Sequence, residues 1–297
     1  MPIVTDHMRP PRGSDRPPPG LFVTDLDGTL LRSDRTLAAA ERRCLQELGR
    51  RGIVRVVATG RSLFSFGRVA LADLPVDFIV SSTGAGVTEH PGGRLLRSVC
   101  LEASELRRPF ELLSGLKLDF MVHRPVPDSH VFSYVANAAA TADFERRLAV
   151  YRDFAFAWDG PIEAFGPAAQ LVAIAPPELA PRVLAAVRRG LSGVSVIRTT
   201  SPLDGRSTWI EIFPEGVSKS RTVGWLASCL GVAHRETLAV GNDFNDLDLL
   251  EWAHCSFVVA NAPAELRRRF AQVRSNDEGG VAQAVAGWLE RRERGLP

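Results

Sequence analysis

LFVTDLDGTLL, residues 21–31, decides the fold. Leu21, Phe22 and Val23 form a short apolar run that breaks into acidic residues and a Gly-Thr turn. That pattern reads as a buried strand with a polar loop at its carboxyl end. Further along, IVRVVATG (53–60) repeats it, an apolar strand ending in a polar turn. Between the two, TLAAAERRCLQELGR (36–50) spaces Leu37, Ala40, Cys44, Leu45 and Leu48 at helical intervals, with Thr36 as N-cap and Gly52 near the end. RSLFSFGRVALADL reads as a helix and VDFIVSSTGAG (76–86) as a third strand. Such alternation predicts a parallel sheet with helices on its faces.

From about residue 87 the rhythm changes. EHPGGRLLRSV reads as a hairpin, and VHRPVPDSHVFSYV (122–135) is polar and interrupted by proline. QLVAIAPP, a helix near 178–190 and VSVIRTT resemble a small βαβ unit. STWIEIFPEG (207–216) returns to strand, and the first rhythm resumes. Helix 218–230, strand TLAVGND (237–243), helix DLDLLEWA, strand SFVVAN (256–261) and two closing helices follow. The expected fold class is α/β: a doubly wound parallel-sheet (Rossmann-like) core from 21–86 and 203–297, with an inserted α/β domain at 87–202. Residues 1–20, with PRGSDRPPPG, are expected to form a disordered N-terminal arm.

Composition narrows the function classes. In 297 residues, 45% are hydrophobic and 24% charged, ordinary for a globular protein long enough to bury a core without staples. A net charge of +2 and the lack of a long basic block give no support for nucleic-acid binding. Cys44, Cys100, Cys229 and Cys255 are scattered, which suits free thiols in a reducing compartment better than disulfides or a zinc site. No apolar run reaches the ~18 residues of a membrane span, and the first 20 residues lack the apolar stretch of a secretory signal. A cytoplasmic protein is expected, a monomer or homodimer acting on a small molecule, with neither nucleic acid nor membrane as partner.

Ligands of open parallel sheets bind beyond the carboxyl ends of the strands. There fall Asp25 and Asp27, then Thr59-Gly60-Arg61, then GNDFND at 241–246, while SKS (218–220) opens a helix. Residues i and i+2 of an extended segment point the same way, so Asp25 and Asp27 reach one pocket. Two close carboxylates repel, and a magnesium ion between them resolves the conflict. One is then available as nucleophile and the other as acid–base group. A bare D-x-D also suits a loop turn or another kind of metal site. Thr59 with turn amides suits phosphate oxygens, although TGR alone also suits a helix cap. Lys219 is one of two lysines, the other being Lys117, and a cation at a helix start implies an anion for it to meet. GNDFND supplies oxygen ligands for a hard cation and is equally an N-cap turn.

Taken in order, DLDGTLL, VVATGR, GVSKS and GNDFND closely resemble the four motifs of the haloacid dehalogenase-like hydrolase superfamily, and the arrangement resembles its Cof-type branch. STGAG (82–86) is similar to that branch's asparagine-glycine-alanine turn, with Thr83 where Asn is usual. FVVANAPAELRRRFAQVRSNDEGGVAQAV also fits, so the resemblance spans nearly all of 21–290.

The resemblance implies a phosphatase with an inserted cap domain that chooses the substrate. Asp25 would form an aspartyl-phosphate, Asp27 would act as acid and base, and Thr59 and Lys219 would hold phosphoryl oxygens. Gly60 and Asn245 join them on the substrate side, and Arg61 suits either a substrate contact or a structural ion pair. His123 and His130, in the polar stretch of the cap, suit sugar hydroxyls or a second anion, and equally a surface loop with satisfied polar groups. Mg2+ would be bound by Asp25, Asp27 and the fourth motif, where Asn242 stands in place of the usual Asp and is followed by Asp243 and Asp246. Asn242 and Asp246 are the expected pair. A small phosphorylated metabolite, a sugar phosphate above all, is the expected substrate. A phosphomutase on the same core and a non-catalytic binding protein are the alternatives.

Overall fold

The computed structural model describes residues 3–6, 17–69, 73–137 and 141–295, which form two compact units. Strands and helices are numbered in chain order. One unit gathers His7–Gly60, Gly67–Leu96 and Lys219–Pro297. Its central strand β2 (Leu21–Thr24) lies parallel to β3 (Val54–Ala58) on one side and β13 (Thr237–Gly241) on the other, with Val23 opposite Val56 and Ala239. Beyond β3 come parallel β4 (Phe78–Ser81) and antiparallel β5 (Gly86–Glu89); beyond β13 come parallel β14 (Cys255–Val259) and β15 (Ala271–Val273). The chain therefore winds outward from β2 in both directions. That reversal makes the carboxyl end of β2 the crevice where ligands bind in such sheets.

Both faces of this sheet are covered, which is why its strands read as nearly unbroken apolar runs. Val23, Val56 and Ala239 pack with Val223, Leu226 and Leu230 of α6 (Lys219–Leu230) and with Leu249 and Leu250 of α7 (Leu247–Trp252). α8 (Ala264–Arg269) adds Leu266 to the same core. α1 (Ala39–Arg50) packs with α9 (Gly280–Glu293), and these contact β3 and β13 respectively. α1 buries Glu41, Leu45 and Leu48 along one stripe. It starts later than Thr36 implied, because Thr36 donates both its N–H and its hydroxyl to Asp34 in a local turn that competes with the helix.

The other unit comprises Met1–Asp6, Arg61–Phe66 and Arg97–Ser218. Its six-stranded sheet has the order β11-β12-β10-β7-β8-β9. These are β7 (Asp119–His123), β8 (Phe132–Val135), β9 (Ala155–Ala157), β10 (Gln170–Ala175), β11 (Val194–Thr200) and β12 (Thr208–Pro214). α3 (Ala103–Gly115) and α5 (Ala180–Gly190) cover one face through Leu106, Leu113 and Val187. On the other face Phe144 of α4 (Ala142–Val150) meets Met121, Phe132 and Trp209. The short helix α2 (Leu63–Gly67) sends Phe64 to this same cluster.

Four boundaries differ from the sequence expectation, the first at Arg61–Phe66, which was expected in the core and groups with the other unit. β5 pairs with β4 in the parallel core, and the second unit begins at Arg97, in β6 (Leu95–Cys100), rather than at 87. β12 lies between β10 and β11, antiparallel to both, so the expected βαβ unit is split and residues 203–218 leave the core. Within the stretch expected to be a disordered arm, β1 (Ile3–Asp6) pairs antiparallel with Arg97–Cys100; 7–16 lie outside the described residues. The cysteines carry no disulfide, and no helix among the described residues is long and apolar enough to cross a membrane.

Candidate active site

The strand ends of the parallel core deliver the site. Asp25 follows β2, and its N–H donates to the Val240 carbonyl at 3.0 Å, which ties the first motif to the strand carrying the fourth. Lys219 is the first residue of α6 and is fully buried. Its Nζ donates to Asp25 Oδ1 and Asp246 Oδ1, each at 2.6 Å. A buried ion cluster of this kind is a poor source of stability, since desolvation offsets most of the attraction, so its presence points to chemistry.

The electrostatics follow from burial. Asp25 is 6% exposed. Desolvation drives its pKa from 3.8 to about 7, with Lys219 pulling it down and the Asp246 and Asp27 charges pushing it up. Burial alone would lower the Lys219 ammonium, but the Asp246 and Asp25 carboxylates outweigh it and hold the pKa above the usual lysine range. One ammonium faces two carboxylates, so the cluster retains a net negative charge that a further cation would neutralise.

The fourth motif divides its side chains three ways. Asp246 Oδ1 is taken by Lys219, and its Oδ2 accepts the N–H groups of Asn242 (2.8 Å) and Asp243 (3.1 Å). Asp246 thus ties Lys219 to the loop of the fourth motif. Asp243 caps the following turn through its side chain. Asn242 alone turns toward the first motif, where its Oδ1 accepts the Thr29 hydroxyl at 3.0 Å. Gly241 is obligatory here, because a Cβ would stand 2.6 Å from Cβ of Asp246.

Of the expected metal set of Asp25, Asp27, Asn242, Asp243 and Asp246, Asp246 bonds Lys219 and two loop N–H groups, and Asp243 caps its own turn. Among the described residues no group of three or more His, Cys, Asp or Glu side chains is placed to hold a metal. Asp25 and Asn242 bring a carboxylate and an amide oxygen to the loops that follow β2 and β13. These are hard oxygen donors, and with the surplus negative charge they fit a hard divalent cation.

Thr59 follows β3, is buried, donates its N–H to Val80 and accepts from the Thr83 N–H. Gly60 lies beside it, and a Cβ there would stand 3.6 Å from the Thr83 hydroxyl and 3.7 Å from Asn245 Nδ2. The second and fourth motifs therefore meet at Gly60. Sequence reasoning did not include Thr83 in the site. Its φ of 53° is left-handed, a conformation in which Asn is favoured over Thr, and that mismatch was the available signal. Asp248 was also missed; its Oδ2 accepts the Ser220 hydroxyl at 2.5 Å and so anchors the first turn of α6 next to Lys219.

Arg61, His123 and His130 belong to the other unit. Arg61 Nη1 donates to the Ser65 carbonyl at 3.1 Å. His130 stacks on Phe64 with ring centroids 4.3 Å apart. His123, expected to touch substrate, is instead 1% exposed, with Nδ1 bonded to the Ser129 carbonyl and the ring against Phe132. Burial, then Arg147, pushes its pKa down to about 3, so the imidazole stays neutral.

Comparison with known proteins identifies the family. The family model for haloacid dehalogenase-like hydrolases matches residues 22–285. The putative phosphatase YxeH of Bacillus subtilis is 26% identical over 280 residues, covering 89% of this chain and 96% of that protein. A 5-amino-6-(5-phospho-D-ribitylamino)uracil phosphatase of the same organism is 25% identical over 288 residues, covering 89% and 96%. A solved structure from Streptococcus mutans shares the fold, with a TM-score of 0.74 at 19% identity over 91% of this chain and 99% of that one. The chain belongs to the haloacid dehalogenase-like hydrolases, as an enzyme of their Cof-type phosphatase branch.

Proposed function

We propose that the protein is a magnesium-dependent phosphatase that hydrolyses a small phosphorylated metabolite of the sugar-phosphate type, through an aspartyl-phosphate on Asp25. The observation that carries this is the buried Asp25–Lys219–Asp246 cluster at the carboxyl end of β2. An Asp25 oxygen attacks phosphorus and the bond from phosphorus to the ester oxygen breaks, with the leaving oxygen taking its proton from Asp27. Asp27, now a carboxylate, then removes a proton from water, whose oxygen attacks phosphorus; the Asp25–phosphorus bond breaks and inorganic phosphate leaves. Lys219 offsets charge on the phosphoryl oxygens, with the Thr59 hydroxyl and the Asn245 amide as further donors. Asp25, the Asp27 carbonyl and Asn242 would hold Mg2+, which when bound supplies charge neutralisation. The ribitylamino phosphate in one relative's name supports a phosphorylated polyhydroxy substrate class. The cytoplasm is the compartment that suits such a substrate.

A phosphate-release screen over a panel of phosphorylated metabolites, with and without magnesium, tests this. Wild type is expected to release phosphate stoichiometrically with magnesium, and Asp25→Asn to lose activity by at least about a thousandfold. Full activity in Asp25→Asn would refute the covalent route. Phosphate returned to a second sugar hydroxyl would favour a mutase, and no turnover at any magnesium level a binding protein.

A further inference from the structure

Two asparagines far along the chain grip the loop that carries the acidic pair. Asn261 lies just past β14 and Asn276 just past β15. Asn261 Nδ2 donates to the Gly28 carbonyl at 2.8 Å, and its Oδ1 accepts the Asn276 N–H at 3.1 Å. Asn276 Nδ2 in turn donates to the Leu31 carbonyl at 2.9 Å, in a side chain only 4% exposed. Leu31 closes the loop by donating its N–H to Leu26 at 2.9 Å. One step further out, Asp277 accepts the Ser33 N–H at 2.9 Å and hydroxyl at 2.7 Å. The turn between Asp27 and Leu31 is thus held at both shoulders by side chains more than 200 positions away.

We propose that Asn261 and Asn276 act as positioning residues for the phosphatase reaction: a two-armed clamp that fixes the Gly28–Leu31 turn and so the directions of Asp25 and Asp27. This rests on those two carboxylates being the reacting groups. The residue type fits the task. Each arm must donate to a loop carbonyl, and Asn261 must also accept a backbone N–H; a carboxamide does both at one short side chain. An aliphatic group would leave backbone groups unpaired, and a carboxylate would set oxygen against the Gly28 carbonyl. The bonds themselves fix the amide orientations, since only Nδ2 donates to a carbonyl.

Gly28 shows how closely the turn is held. Its φ is +71°, and a Cβ there would meet Asn242 Nδ2 at 2.7 Å and Asn261 Nδ2 at 3.7 Å. Gly28 therefore lies close against both Asn242 of the fourth motif and Asn261. A displacement allowed by loss of Asn261 would reach both acidic residues and Asn242, and misplacements of about 1 Å cost about a hundredfold in rate.

The test uses the full chain, with p-nitrophenyl phosphate as probe. Variants are Asn261→Ala, Asn276→Ala and Asn261→Asp, the last keeping shape and acceptor while losing the donor to Gly28. Gln283→Ala is the control; it removes a 2.8 Å bond to the neighbouring Arg274 N–H without touching the loop. The clamp predicts a kcat loss of about tenfold to a hundredfold in all three variants, with KM changed less than about threefold. Amide exchange of 26–33 should quicken in each, with Gln283→Ala like wild type in every readout. Unchanged kcat per folded molecule in Asn261→Ala and Asn261→Asp overturns the proposal, whatever happens to melting temperature. So does unchanged exchange of 26–33. If wild type turns over neither the probe nor any member of the metabolite panel, the phosphatase reading fails on its own account, and the exchange data alone decide whether the two asparagines hold the turn.

Discussion

Asp25 combines reactivity with poor solvation. Its pKa of about 7 lies above the ordinary 3.8, chiefly because burial disfavours the charge. Between those values the unfolded chain has released this proton while the native chain keeps it. The stability linked to Asp25 is therefore full below about pH 4 and lost as pH rises through about 7. Asp25→Asn, inactive, should accordingly melt higher than wild type at pH 8 without added magnesium, by a margin that shrinks at pH 5. Equal melting temperatures at both values would show that Lys219 already balances the charge. Asn242 carries a separate expectation: Asn242→Asp adds a charge beside Thr29 and should lower the half-saturating magnesium concentration by about threefold to tenfold. An unchanged requirement in a titration of phosphate release would place the metal elsewhere. The division of labour among Asn242, Asp243 and Asp246 was not legible in GNDFND, because all three side chains suit a cation and a capped turn alike. In the fold Asn242 meets the Thr29 hydroxyl, and Asp246 meets the Lys219 ammonium and two backbone N–H groups.

At the scale of elements, α1 hides a carboxyl group that its own periodicity does not require. Glu41 is fully buried at the N-terminus of α9, facing the N–H groups of Val281 and Ala282. A helix N-terminus favours an anion, yet burial wins and drives the Glu41 pKa from 4.5 to about 7. The associated stability is present below about pH 4.5 and lost as pH rises through about 7. Glu41→Gln keeps a hydrogen-bonding side chain and should stabilise the protein at pH 8 by on the order of 2–3 kcal/mol, with little effect at pH 4.5. Chemical denaturation at the two pH values checks this, and destabilisation at pH 8 would mean that the ionised form is the better cap. The strands of the core were legible because runs such as LFV and VRVVA end in turn residues at the same edge. β12 was misallotted because TWIEIFP is apolar enough to suit either sheet, and its partners β10 and β11 are chosen by register that a single strand does not display. Asn261 and Asn276 lie in a stretch that fits the family pattern, but their role was not legible because their partners are backbone groups, chiefly carbonyls more than 200 positions away.

At the scale of the whole molecule, the two units should answer pH in opposite senses. The parallel core holds Asp25 and Glu41, both raised to about 7, so it loses stability as pH climbs toward neutrality. The other unit holds neutral His123, depressed to about 3. Its contribution is full above the ordinary histidine value of 6.5 and lost as pH falls through about 3. Hydrogen exchange resolved by segment, run at pH 5 and pH 8 and corrected for intrinsic rates, should show 119–135 less protected at the lower pH and 21–58 less protected at the higher. Both segments moving together would contradict these assignments. His123→Gln should remove the acid sensitivity of the first segment alone.

Among its crossings between the two units, the chain passes at Gly60–Arg61, beside the buried Thr59, and at Ser218–Lys219, directly before the buried lysine. This bears on inheritance. A recombination event that exchanged one 97–218 segment for another would have to splice directly before Lys219, while the seam at Leu96–Arg97 lies far along the chain from Asp25, Thr59 and Lys219. New substrates should therefore arise in such a chain by point changes and loop growth inside 97–218 far more readily than by wholesale transplantation, and chimaeras joined at 218 and 219 should fail unless Lys219 keeps its own neighbours.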